Sequence, residues 1–301
     1  MKHISDVLNE SPVNQILEFS EDKDIAVTMI TSCLRKMSSH PEWLYYQFKR
    51  KSKNGKKREF FAAKSVLKNL QNEVKEKLLT PLLKDNCSSV SHSNRKGKSI
   101  KTASLTHLWK EGERIYPTEA VLLDLKDAFP HVSANHIYNS LWYALKRTGE
   151  DLDYWKKKIE FLIPILSYDK KLPLGPSTSP AIFELSCLLG FDQALEKLGR
   201  ERGLIITRYV DDIAVTSKEK IDPEEIFSLV NSIAEKCKFE LNKKKLRHFK
   251  VKERNNTFPM LGLVLDIEKG ELRLKPDLKN EFRAAIYNFI SFLESTKERK
   301  K

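Results

Sequence analysis

Cysteine is scarce in this chain. Its 301 residues hold four, Cys33, Cys87, Cys187 and Cys237, widely separated and with no Cys-x-x-Cys pair. They are read as reduced thiols in a cytoplasmic protein. The seven histidines show no zinc-ligand spacing, so no structural zinc is expected. No stretch approaches the roughly 18 apolar residues of a membrane span. The start, "MKHISDVLNE", lacks the apolar core of a signal peptide. Internal repeats and long low-complexity linkers are also missing. Acidic residues are in deficit: 41 Asp and Glu face 54 Lys and Arg, a formal net charge of +13.

That deficit is the first functional signal. A chain this basic usually meets an acidic polymer or surface. Nucleic acid is the first candidate and an anionic membrane the second, with an ordinary basic soluble protein as the plain alternative. Hydrophobic residues make up 40%, enough for a core. The length suits one large domain or two or three subdomains sharing a core.

The first 45 residues read as a helical segment, with Ile25, Met29, Ile30, Cys33, Leu34 and Met37 at helical spacing. In "KRKSKNGKKREFF", seven of the ten residues 49 to 58 are Lys or Arg, with Asn54-Gly55 as a turn signal. A basic hairpin suited to phosphate is expected, against the alternative of a solvated loop. A helix carrying Val66, Leu67, Leu70, Val74 and Leu78 on one face follows. "SVSHSNRKGKSIKTASLTH" reads by itself as a flexible polar loop.

From residue 119 strands and helices alternate. "AVLLDL" has the continuous apolar character of a central strand and carries Asp124. Ser133 caps a helix with Ile137, Leu141 and Leu145 inward. "STSPAIFELSCLLGFDQALEKLG" reads as one buried helix, capped by Ser179, started by Pro180 and stopped at Gly199. Asp222 and Pro223 start another helix, with Ile226, Leu229, Val230 and Ile233 as its buried stripe. "PMLGLVLD" and "ELRLK" flank "IEKG" as a hairpin. The pattern predicts an α+β fold, an antiparallel sheet with helices packed on one face.

"RYVDDIAV" interrupts apolar strand with Asp211 and Asp212. A polar hairpin turn is one reading. The other is a turn that presents carboxylates to a metal. If Asp124 lies on a neighbouring strand, three carboxylates converge, and they cannot all ionise cheaply without a cation. Mg²⁺ suits such a site because it keeps water and substrate phosphate in its shell. Two such ions can activate a 3′-hydroxyl and stabilise departing pyrophosphate. Asp127 reads as turn or helix polarity.

"LLDLKDAFPHVS", "LPLGPSTSPAIFEL", "RYVDDIAV", "FELNKKKLRHF" and "MLGLVLD" resemble, in order, the palm motifs of reverse transcriptases. "NGKKREFFAAKSVLKNLQ" resembles the fingers segment of the bacterial branch, and "GKSIKTASLTH" a motif of its retron-type enzymes. The resemblance covers about residues 45–290. It implies a right-hand polymerase fold with fingers at 46–118, a palm at 119–258, and a primer-grip hairpin with a minimal thumb-like helix at 259–301. Asp124, Asp211 and Asp212 match the metal-binding catalytic carboxylates, implying Mg²⁺ with Mn²⁺ as the alternative. Lys56 and Arg58 match residues that hold the incoming triphosphate. Phe129 matches the aromatic gate against a ribose 2′-hydroxyl; ordinary core packing is its alternative. Gly175 to Pro180, Ser177 included, match the loop beneath template and nucleotide. Lys245 matches a lysine that assists pyrophosphate departure, with solvation as its alternative. Leu261 and Gly262 match the turn that holds the primer end. Lys51 and Lys53 are expected on template or primer phosphates.

Two positions depart from the family pattern: Leu174 stands for the usual Gln in "LPLG", and Thr102 for the usual Asn before Ala103. The expected activity is RNA-templated DNA synthesis from dNTPs, with a cognate structured non-coding RNA as template and DNA as product, in a bacterial retron-like or antiphage defence setting. No membrane partner is expected. The short thumb is expected to be minimal, replaced by a protein partner, an oligomer or RNA, or shortened. A non-catalytic RNA-binding scaffold and a polymerase extending without a template are the competing expectations.

Overall fold

The computed structural model describes residues 40–51, 55, 57–86, 88–251 and 256–298. The expected N-terminal helical segment lies almost wholly outside them, as do Cys33, Cys87, Lys53 and Lys56.

Strands β1 (Tyr45–Lys51) and β2 (Lys57–Ala63) pair antiparallel and form the basic hairpin expected at 49–58. Arg50 stands opposite Arg58 and Lys51 opposite Lys57. Like charges placed directly across a ladder are unfavourable in the free protein. Helix α1 (Ser65–Val74) runs through a π-helical turn, Lys75–Leu79, into α2 (Thr80–Asp85). Leu67, Leu70, Val74 and Leu78 are buried along it, as their spacing predicts.

The segment read as a flexible loop is structured. Ser91, His92 and Ser93 are buried, and Ser91 bridges Arg208 in parallel. Helix α3 (Ile100–Leu105) opens on a capping box between Ser99 and Thr102. The departure at Thr102 therefore has a local use: its hydroxyl accepts the Ser99 N–H at 2.8 Å. A polar composition hid this order because the partners that bury Ser91 and Ser93, Glu184 and Arg208, lie about 90 or more residues along the chain.

A small hairpin, β3 (Trp109–Lys110) and β4 (Glu113–Arg114), leads into β5 (Glu119–Asp124). After β5 come α4 (Ala128–His131), α5 (Ala134–Arg147), α6 (Leu152–Leu166), α7 (Ser179–Leu188) and α8 (Phe191–Arg202). Then follow β6 (Ile205–Tyr209), β7 (Asp212–Ser217), α9 (Pro223–Lys236) and β8 (Arg247–Lys250). The last elements are β9 (Thr257–Met260), β10 (Leu263–Asp266), β11 (Glu271–Leu274) and α10 (Pro276–Glu298).

The central sheet has the order β6-β7-β5-β8, antiparallel throughout. Strand β5 lies inside it and is buried along its whole length, which explains its unbroken apolar run. Side chains alternate between the faces. Val121 and Leu123 join the core formed with the helix layer, where Ile137, Leu141, Leu185 and Val230 also lie. Ala120 and Leu122 face a second core with Phe258, Met260 and Leu265 of the three-stranded sheet β11-β10-β9. The α+β expectation thus holds.

Three elements differ from the sequence reading. The stretch expected as one buried helix is two, broken where Gly190 takes a φ of 100°. Thr178 flanks its start in place of Ser179, and Gly203 at φ 64° ends α8, with Gly199 inside the helix. Helix α6 was not foreseen; a lysine run and Pro164 disguise its buried stripe of Trp155, Ile159, Leu162 and Leu166. Residues 259–266, read as one arm of a hairpin, belong to two strands that fold back at Leu261–Gly262.

Candidate active site

Register brings the acidic residues together. Asp124 ends β5 directly opposite Asp212, the first residue of β7. Tyr209 pairs with Asp212, so Val210 and Asp211 form the tight turn between β6 and β7. The Leu125 N–H donates to the Asp211 carbonyl at 2.9 Å, and the Asn242 N–H to the Asp124 carbonyl at 2.8 Å. These backbone bonds lock the strand end, the turn and the segment before Lys245 to one another.

A cleft of about 580 Å³ opens over this junction. Asp124, Asp211, Phe129, Arg58 and Lys245 all line it. Asp212, directly across the ladder from Asp124, lines a smaller neighbouring cleft of about 120 Å³ with Leu261, Gly262, Arg247 and Lys275. The three carboxylates stay close enough for their charges to act on one another. Lys51 lines neither of them, and its side chain is exposed at the end of β1.

The charges are strongly coupled. Burial and the neighbouring Asp124 charge raise the Asp211 carboxyl above the usual range, against the pull of Lys245 and Arg58. Asp212 is exposed as a residue, yet desolvation by the surrounding protein, with the charges of Asp211 and Asp124, pushes its carboxyl up to about 6. Lys245 is ion-paired: its Nζ donates to Asp124 Oδ2 at 2.5 Å. That disposes of the purely solvated reading of this lysine.

Among the described residues, no three His, Cys, Asp or Glu side chains are grouped so as to hold an ion by themselves. Mg²⁺ does not require that, since it is commonly held by one or two carboxylates together with substrate phosphates. Asp124 and Asp211 on one cleft, repelling each other's charge, fit an ion that binds with a triphosphate.

The cleft walls are tied into the core. Phe129 stacks on the buried Phe183 with ring centroids 5.0 Å apart, so core packing and cleft lining are one role of the same ring. The Phe61 N–H of β2 donates to the Leu174 carbonyl at 2.7 Å. Gly175 follows at φ 123°, and a Cβ there would stand 2.6 Å from the Phe61 carbonyl oxygen, so only glycine fits. The family departure at Leu174 leaves this backbone contact intact. Ser177 turns away from the cleft to donate to Asn72 Oδ1 at 2.7 Å. Asp127, read as turn polarity, lines the cleft with a left-handed φ of 42°.

Gln47, Tyr168 and Lys171 also line the cleft and were missed; Lys57, read only as part of the basic hairpin, lines it too. Gln47 Nε2 donates to the Tyr168 hydroxyl at 2.6 Å, joining β1 to the loop after α6. A lysine pair just before "LPLG" was the available signal for Lys171. Arg208 was missed as well. It is wholly buried in β6 and pairs with Glu184 of α7 and Asp192 of α8. Burial pushes both carboxyls up; Arg208 with the Ser91 and Ser93 hydroxyls outweighs it at Glu184, which lies below its usual value, whereas Asp192 lies above.

Comparison with known proteins agrees with this geometry. The family model described as reverse transcriptase (RNA-dependent DNA polymerase) matches residues 49–265. The retron Mx162 reverse transcriptase of Myxococcus xanthus is 26% identical over 259 residues, 78% of this chain and 50% of the relative. The retron Mx65 enzyme of the same organism is 27% identical over 238 residues, 75% of this chain and 52% of the relative. The chain thus spans about half the length of these curated relatives. Among solved structures, apo telomerase from Candida tropicalis, truncated from its C-terminal domain, superposes with a TM-score of 0.55. It is 13% identical and covers 84% of this chain and 60% of its own. Telomerase from Candida albicans, solved with a fragment of telomeric RNA, gives 0.51 at 13% identity over 82% of this chain and 49% of its own. The likeness establishes a shared right-hand polymerase fold.

Proposed function

This chain belongs to the reverse transcriptase family, and we propose that it is an RNA-templated DNA polymerase of a retron system, adding dNTPs to a primer 3′-hydroxyl. The carrying observation is that Asp124 and Asp211 share one cleft with Arg58 and Lys245, two cations suited to a triphosphate.

In this reading the fingers span 46–118, the palm 119–258, and the primer-grip hairpin and a thumb-like helix 259–301. Reverse transcriptases depend on a divalent metal. Here Asp124 and Asp211 would hold Mg²⁺, which would lower the cost of the attacking oxyanion and of the charge on the leaving group. Asp212 completes the acidic set from the primer side. Arg58 holds the incoming phosphates, with Lys57 and Lys171 lining the same cleft and Lys56 assisting. The primer 3′-oxygen attacks the α-phosphorus and gives up its proton to solvent water as the bond to pyrophosphate breaks. Lys245 supplies counter-charge to the departing pyrophosphate. Phe129 limits the space at the sugar's 2′ position, which favours dNTPs. Leu261 and Gly262 seat the primer end, supported by the small cleft they share with Asp212. Gly175 keeps the fingers hairpin close to the palm, and Ser177 holds its loop in place beneath the template. Lys51 and Lys53 contact template or primer phosphates. A cognate structured RNA serves as template, in line with the retron relatives.

Purified protein with Mg²⁺, dNTPs and a primed RNA should make complementary DNA, read by sequencing the product. Products unrelated to the template, or none, would reject the reading.

A further inference from the structure

Val210 holds a backbone conformation that its side chain opposes. Its φ is 57°. A β-branched residue rarely enters this left-handed region, so the conformation is strained and persists only where its surroundings hold it. Both polar atoms of its backbone are held by side chains. Its N–H donates to Ser93 Oγ at 3.0 Å, and its carbonyl accepts from Arg208 Nη1 at 2.8 Å.

The two holders are themselves held. The Ser93 hydroxyl donates to Glu184 Oε1. The Arg208 guanidinium donates to Glu184 at 3.2 and 2.8 Å, and to Asp192 at 2.7 and 2.8 Å. All five of its N–H groups are thereby used, four on the two carboxylates and one on Val210. The main chain adds to this. The His92 N–H donates to the Arg208 carbonyl at 2.9 Å and the Arg208 N–H to the Val90 carbonyl at 2.8 Å. Residues 90–93 thus lie along β6 and carry Ser93 to the turn.

A buried ion cluster is an inefficient stabiliser, since apolar residues of similar volume often serve as well. None of Ser93, Glu184, Asp192 and Arg208 lines the cleft. What the cluster does reach is the strained peptide next to Asp211.

We propose that Arg208, Glu184, Asp192 and Ser93 form a clamp that holds Val210 in the left-handed conformation and so aims the Asp211 carboxylate into the cleft. They are positioning residues, and the inference rests on the reading of Asp211 as a metal-holding carboxylate. Released, Val210 relaxes to a negative φ, a rotation of roughly 120° that redirects the following residue.

Ser93→Ala removes the acceptor of the Val210 N–H while sparing the guanidinium's own bonds. In the full chain, kcat should fall about tenfold or more and the Mg²⁺ concentration for half-maximal rate should rise. The dNTP KM and RNA affinity should change less than twofold. Ser93→Thr, which keeps the hydroxyl, should restore kcat. Adding Val210→Gly to Ser93→Ala should also recover most of the rate, because glycine enters the left-handed region unaided. Amide hydrogen exchange needs no turnover: the peptide spanning Val210 should exchange about tenfold faster in Ser93→Ala, with β5 unchanged. Exchange unaltered at Val210, kcat within twofold of the original, or no recovery with either Thr or Gly overturns the clamp. If the unaltered protein incorporates no dNTP, the proposed function falls, and exchange with Mn²⁺ calorimetry still decides the clamp. Weaker Mn²⁺ binding by Ser93→Ala supports it, and equal binding overturns it.

Discussion

The Lys245 ammonium sits 2.5 Å from Asp124 Oδ2, an exposed cation holding a buried carboxylate at the end of the central strand. Removing it leaves that carboxylate unpaired, which costs on the order of 1–3 kcal/mol. Lys245→Ala should therefore unfold at lower temperature in metal-free buffer, and its turnover should drop. A bound cation replaces the lost charge, so added Mg²⁺ should raise the variant's Tm by more than it raises that of the unaltered protein. Thermal melts with and without Mg²⁺ check this; equal shifts would contradict it.

Asp124→Asn and Asp211→Asn should each lower dNTP incorporation on the order of a thousandfold or more. Asp211 carries a second expectation. Its carboxyl is raised in the fold by burial and by Asp124, so the fold disfavours its charge. The neutral Asp211→Asn variant should melt at the same temperature or higher. Incorporation assays and melts on the same preparations test both halves.

Phe129→Ala should admit ribonucleotides, seen as a lower ratio of dNTP to NTP efficiency. Because the ring also stacks on Phe183, the variant should lose stability, by less than the roughly 3–5 kcal/mol of a fully buried Phe→Ala because the ring is only half-buried. An unchanged ratio with lost stability would leave Phe129 as core packing alone.

Arg58 lines the cleft and Lys51 does not. Arg58→Ala should raise the dNTP KM with little effect on RNA affinity. Lys51→Ala should weaken RNA binding and flatten its salt dependence by a slope of about 0.7 to 0.9 if one phosphate contact is lost. Steady-state kinetics and salt titrations separate the two; an exchange of the two phenotypes would reverse the assignment.

His107 lies wholly buried beneath the sheet, its ring nitrogens 2.7 Å from the hydroxyls of Thr216 and Thr207. Burial pushes its pKa from 6.5 down to about 3. Below pH 6.5 the unfolded chain gains a proton that the folded chain refuses, so stability falls as pH drops from about 6.5 toward about 3. Between pH 7 and 5 this residue should cost on the order of 2 kcal/mol. His92, lowered by burial to about 4, acts in the same direction. Denaturant titrations across that range should show the fall, with a shallower slope in His107→Gln.

Much of the site was legible in the sequence, because local chemistry sets it. An apolar run ending in Asp124, and a carboxylate pair inside an apolar hairpin, signal a carboxylate site wherever the two strands become neighbours. Glycine at 175 was legible by motif, and the structure supplies its reason in the Phe61 backbone. Leu67, Leu70 and Val74, and Ile137, Leu141 and Leu145, were legible because helical period alone chooses the buried face. Other features needed the tertiary fold. Polar composition gave no hint that Ser91 and Ser93 would be buried, since their partners Glu184 and Arg208 come from helices and strands far along the chain. That Asp124 meets Asp211 and Asp212 follows from the register of β5 on β7, and the small cleft beside Asp212 from where residues 257–266 pack. Sequence determined which residues carry charge and which faces are apolar; only three-dimensional packing decided which charges meet, because a buried ion's partners are chosen by proximity in space.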